Sequence, residues 1–185
     1  MSYLRSFAPW IAYALLSSLD WRLAMCVAAV VAGILVVTQR RAHDLDLLTG
    51  VTFAFFTVMA VIALAAPHTG LHHWTPALSA ATLAVIAAGS LAARRPFTLS
   101  IARRTTPSEF WDSPLFLHAN DVITAAWAAA FTTSAVVCGL IIHANPSGGV
   151  VLIAAQIAGF VVPALFTKNY TERIKKGREA PAAAA

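Results

Sequence analysis

The chain has 185 residues, 59% hydrophobic and 11% charged, with a formal net charge of +5. Soluble domains carry about 25% charged residues, so these charges are too few to cover a water-facing surface and lipid must be the main solvent. The composition excludes an ordinary water-soluble domain. It also excludes a nucleic-acid-binding face, which needs cations spread over a folded polar surface.

The predicted fold class is all-α, a polytopic membrane helical bundle with five full transmembrane helices and a short N-terminal sixth. A helical span needs about 20 apolar residues. The first segment, 7–19, falls short of that and has Pro9 near its start. It is read as either a short tilted span or a re-entrant half-helix. Asp20 and Arg22 follow it and mark a membrane surface, because a charge at mid-bilayer costs about 3 kcal/mol or more. The full spans are expected at 23–38, 49–66, 75–93, 122–144 and 150–167. They form one integral membrane domain over 1–170, followed by a polybasic and then alanine-rich, disordered tail over 171–185. The N-terminus has one arginine and a short apolar run but no small-residue cleavage site ahead of a polar domain, so no removable signal peptide is expected.

Orientation follows from Lys and Arg in the short loops. Arg40 and Arg41 follow the second segment. Arg94, Arg95, Arg103 and Arg104 follow the fourth. Lys168, Arg173, Lys175, Lys176 and Arg178 follow the last. The intervening loops, 67–74 and 143–149, contain no Lys or Arg. The arginine-bearing side is therefore expected to be the cytoplasm, with the C-terminus inside. If the first segment crosses, the N-terminus is inside, which Arg5 favours; a re-entrant first segment leaves it outside.

The polar segment 94–121 is expected to lie at the cytoplasmic surface. Thr106-Pro107-Ser108-Glu109 fits a capping box, with Thr106 as N-cap and Pro107 at N1, and should open a short helix carrying Phe110 and Trp111. Ser113-Pro114 repeats the start signal. Arg94, Arg95, Arg103, Arg104 and Trp111 are the candidate interfacial residues, suited to anionic headgroups, with plain positive-inside anchoring as the alternative. The C-terminal cations suit anionic lipid or an acidic partner.

At about 100° per residue, Asn120, Thr124, Trp127 and Phe131 share one face of the fifth span. Lipid cannot satisfy an Asn amide, so this face must point into the bundle or into a headgroup-level cavity. With Asp121 and Gln156 it is the candidate ligand or partner face. Gln156 is the large polar side chain well within hydrocarbon, and Pro163 is expected to kink or loosen the helix end two turns on. The small residues Ala80, Ala84, Ala88 and Ala92, with Gly89, and Ala125 with Ala129, suit close helix packing, within the chain or in a homodimer. Cys26 and Cys138 read as buried thiols. His68, His72, His73 and His143 fall on the outer side, His43 and His118 on the inner. No acidic or thiol ligand accompanies the outer histidines, so no metal site is expected. No cofactor motif and no catalytic constellation is present.

Asp20 ahead of the second span, Arg40-Arg41, a TGVTF start to the third span at 49–53, Arg94-Arg95-Pro96-Phe97, Trp111 and the WAAAF segment from Trp127 to Phe131 together resemble the intracellular septation protein A family. The resemblance is spread over most of the chain. Where that family has an Asn three residues before the fifth-span Trp, this chain has Thr124, and its Asn120 stands seven before. The resemblance implies a bacterial inner-membrane protein of cell-envelope synthesis and division, and it implies no particular reaction. The expectation is thus a non-enzymatic protein acting through membrane partners. The competing reading is a small carrier or flippase-like binder of a lipid or apolar metabolite.

Overall fold

The computed structural model describes residues 6–17, 19–42, 46–66, 68–146 and 149–182, with side chains as far as 174 and at 176. Among them are seven α-helices: α1 (Ala8–Leu16), α2 (Trp21–Arg41), α3 (Leu47–Ala65), α4 (Leu71–Ala92), α5 (Phe97–Arg103), α6 (Pro114–Ala144) and α7 (Gly149–Ala182). A single 3₁₀ turn, Ser108–Phe110, lies between α5 and α6. The described chain is all-α. Five helices, α2, α3, α4, α6 and α7 as far as Ile174, are long and apolar enough to cross a membrane. The protein is a multi-pass membrane protein. Arg5, His43, Lys175, Arg178 and residues 183–185 carry expectations that lie outside the described residues or side chains.

Helix α1 has nine residues, about 14 Å of rise, against a hydrocarbon layer of about 30 Å. It is a half-length helix rather than a span. Its buried side carries Pro9, Trp10 and Tyr13, while Ile11 and Leu15 are exposed, as suits a helix with lipid on one flank. Asp20 ends the connection. Its carboxylate accepts from the backbone N–H of Arg22 and of Leu23 and so caps α2. Asp46 does the same for α3 through the N–H of Thr49, so that helix begins at Leu47, two residues before the expected start.

Two elements depart from expectation near the middle of the chain. The 94–121 segment contains α5, a helix that periodicity reasoning overlooked. Its Phe97, Thr98 and Ile101 are buried, so it is not a purely surface-lying loop. The capping box at Thr106 opens only the 3₁₀ turn, with Pro107 at the N-cap and no side-chain cap. Ser113 does act as an N-cap, its hydroxyl accepting from Phe116 N–H, but it opens α6 itself. The helix that contains the fifth span therefore starts at Pro114, eight residues ahead of the expected span. At the other end α7 runs on through Pro163 and through the expected tail to Ala182.

The chain comprises two compact units. The first holds residues 1–75 and 99–106, the second 76–98 and 107–185. In the first, α1 packs on α2 and α3. Trp10 is stacked on Phe55, contacts Phe56, and donates its indole N–H to Thr52. In the second, α6 and α7 pack antiparallel, and Ala77, Cys138, Ile142 and Leu152 form a core cluster. Gly159 permits the crossing, since a Cβ there would stand 2.7 Å from Ser134 Oγ.

Candidate functional site

In the second unit, α4 ends in a left-handed residue. Arg94 has φ 54°, and its N–H and that of Arg95 return to the carbonyls of Leu91 and Ser90, a Schellman-type stop. The chain reverses there, and the Ser90 hydroxyl accepts from Phe97 N–H at 3.1 Å. That bond fixes the start of α5 and sets Thr98 against α6. The Thr98 hydroxyl lies 2.8 Å from that of Thr124 and 3.2 Å from the carbonyl of Asn120. The Asn120 amide donates back to Phe116 O at 2.8 Å. One turn further in, Trp127 donates its indole N–H to Thr167 on α7 at 3.0 Å. Its ring meets Phe97 edge-on, Phe131 at 5.2 Å and Phe160 at 6.5 Å. Phe131 and Phe160 close the cluster at 5.3 Å.

Four residues of the predicted face lie together on one buried side of α6. Asn120, Thr124, Trp127 and Phe131 are brought together and all are buried. Asp121 is exposed and does not join them. Gln156 is half-buried, and its amide approaches only Leu152 O of its own helix, at 3.4 Å. It stands seven residues, about 10 Å, from Pro163 and so well away from Thr167, the partner of Trp127. Thr98, the hub of the polar end, was missed because it lies on α5. The Phe97 and Ile101 spacing of i, i+4 after Pro96 was the available signal.

The first unit holds a second polar cluster that sequence reasoning also missed. Asp46 Oδ1 accepts from Thr49 N–H at 2.7 Å, and Oδ2 accepts from Arg104 Nη2 at 3.1 Å. Gln39 accepts from Asp46 N–H through Oε1 and donates through Nε2 to the Thr49 hydroxyl at 2.9 Å. The Asp46 side chain is 3% exposed and that of Arg104 19%. Arg104 is therefore engaged with a buried carboxylate and is not simply a headgroup ligand. Arg103 and Trp111 are half-buried, while Arg94 and Arg95 are exposed. Of the small-residue ladder, Ala80 is buried and Ala84 half-buried, whereas Ala88, Gly89, Ala92, Ala125 and Ala129 are exposed.

His72 and His73 stack at 3.7 Å between ring centroids, with Trp21 5.8 Å from His72. Among the described residues no three His, Cys, Asp or Glu side chains converge as a metal would require. Cys26 and Cys138 are free thiols. Chemically, both polar clusters hold helices together, because each donor and acceptor named above meets another group of the same chain. Comparison with known proteins finds no family model, no curated protein and no solved structure that matches this chain.

Proposed function

We propose that the chain is a non-catalytic accessory protein of the bacterial cytoplasmic membrane, with its C-terminus inside the cell, that supports cell-envelope assembly or septation by engaging partner proteins. The observation that carries this reading is the internal bonding of the polar face in the spans. Thr98, Asn120, Thr124 and Trp127 all bond within the chain, and the rings of Phe97, Phe131 and Phe160 fill the space around Trp127. A carrier needs such groups to be released to a ligand, so this packing counts against the flippase-like reading. What remains for function is the outer surface: lipid-facing apolar helices and cationic ends. The envelope and septation setting comes from the resemblance carried by Arg94-Arg95-Pro96-Phe97 and the Trp127–Phe131 segment.

The test is extraction of intact complexes from the membranes of the source cell in a mild detergent, paired with deletion of the gene. Co-migration of the chain with other membrane proteins, and altered septa or envelope on deletion, are expected. A chain that migrates alone, with envelope and septa unchanged by its loss, overturns the proposal.

A further inference from the structure

The Thr106-Pro107-Ser108-Glu109 segment does not act as a capping box. The 3₁₀ turn it opens has Pro107 at the N-cap and no side-chain cap. What the segment presents instead is a run of hydroxyls directly behind two guanidinium groups, Arg103-Arg104-Thr105-Thr106. Thr105, Pro107, Ser108 and Glu109 are exposed, and Thr106 is half-buried. Thr105 closes the last turn of α5. Its N–H returns to Ala102 O at 3.1 Å, and its hydroxyl donates to the same carbonyl at 3.1 Å.

Arg104, beside it, is fastened to Asp46 at 3.1 Å, and both residues belong to the first unit. The two oxygens of that carboxylate have separate partners. Oδ1 accepts from Thr49 N–H and Oδ2 from Arg104. Arg104 can therefore leave while α3 keeps its cap. The contact is a fastening for the end of α5 that a change of charge can open without undoing α3.

A phosphoryl group on Thr105 would make that change. It carries a charge of about −1.5 to −2 at pH 7, at the C-terminal end of α5, where the helix dipole is already negative. The esterified oxygen can no longer donate to Ala102 O, so two acceptors would face each other. Arg103 and Arg104 stand two residues and one residue away, within about 7 Å of backbone, and phosphate pairs readily with guanidinium in bidentate geometry. Asp46 would repel the new anion, which favours separation of Arg104 from it. Glu109 and Asp112 also oppose the phosphate. They lie four and seven residues on and are exposed, where salt screens charges over a Debye length of about 8 Å.

We propose that Thr105 is a phosphorylation site, and that its phosphoryl group releases the end of α5 by drawing Arg104 off Asp46. In the transfer the Thr105 oxygen bonds to the γ-phosphorus of a nucleoside triphosphate held by a protein kinase. The bond from that phosphorus to the β–γ bridging oxygen breaks, the diphosphate leaves, and the hydroxyl proton passes to the kinase's catalytic carboxylate. Hydrolysis of the ester restores the hydroxyl and frees inorganic phosphate. The site rests on the orientation proposed above, which places Thr105 where nucleoside triphosphate is.

The test uses the full chain purified from source-cell membranes, with the phosphoryl group located by fragmentation mass spectrometry and half of the sample treated with a phosphatase. Ile101, 1% exposed, is the reporter. Ile101→Cys, with Cys26 and Cys138 replaced, should react with a thiol reagent about tenfold faster in the phosphorylated half. Asp46→Asn in the same chain should react fast in both halves, because its fastening is already open. Hydrogen exchange over 99–104 in the native chain reads the same opening without any variant. No phosphoryl group on Thr105 in growing or resting cells, one confined to Thr106 or Ser108, or equal reactivity and exchange before and after phosphatase each overturns the proposal. A cysteine at 105 that reacts from outside the cell refutes the orientation as well, whereas an inward loop without phosphate refutes only this site.

Discussion

Asp46 serves two groups with one carboxylate: it caps α3 through Thr49 N–H and pairs with Arg104. The two roles separate on substitution. Asp46→Asn keeps a good N-cap but leaves Arg104 without its counter-charge. Arg104→Gln leaves a nearly buried carboxylate in its place. Removing one member of a buried pair costs about 3–5 kcal/mol, and partial solvation of Arg104 lowers the expected loss to about 1–3 kcal/mol. The double variant should be less destabilised than the sum of the singles, as read from unfolding in detergent. Strict additivity would show that the pair contributes no coupling. Trp127 offers a second residue-level test. Trp127→Phe retains a ring against Phe131 and Phe160 but loses the bond to Thr167, and it should cost about 0.6–1.5 kcal/mol. A ligand-binding Trp would instead leave stability unchanged and alter binding.

At the scale of elements, the α6–α7 pair is limited by Gly159. Its missing side chain admits Ser134, whose Oγ and Cβ would lie 2.7 and 2.9 Å from a Cβ built there. Gly159→Ala should therefore destabilise by about 1–3 kcal/mol through overpacking, with Ser134→Gly in the same chain restoring most of it. Melting of the reconstituted protein reads both. Equal stability of Gly159→Ala and the native chain would mean that the helices cross less closely than described. Helix α5 is the other informative element. It has only seven residues, too few to be stable alone, and it holds its place through Phe97, Thr98 and Ile101 packed in the interior.

For the whole molecule, the proposed orientation has the arginine-bearing loops and the C-terminal cations inside. Cysteine labelling in intact cells tests this, with Cys26 and Cys138 first replaced. A cysteine at Thr69 or Asn145 should react with an impermeant reagent from outside, and one at Thr105 or Asn169 should not. Reaction of Thr105 from outside would reverse the orientation drawn from the arginines. Replacing Lys168, Arg173 and Lys176 with Gln should leave insertion intact, because Arg40, Arg41, Arg94 and Arg95 still bias the loops.

Sequence alone determined the class of this protein and the position of its spans. About 20 consecutive apolar residues have no other stable solution, so Leu47–Ala65 and Leu71–Ala92 were legible to within a few residues. The 100° spacing also placed Asn120, Thr124, Trp127 and Phe131 on one buried face, because lipid cannot satisfy an amide. Only the tertiary structure decided what meets that face. Thr98 lies 22 residues from Asn120, Thr167 lies 40 from Trp127, and Arg104 lies 58 from Asp46. No local pattern encodes such partners, since hydroxyls and guanidinium groups have many equivalent choices along the chain. The lengths of α6 and α7 were hidden for a related reason. Hydropathy reports where lipid ends, whereas a helix ends where its caps and packing stop it, here at Ser113 and beyond the cationic segment after Lys168.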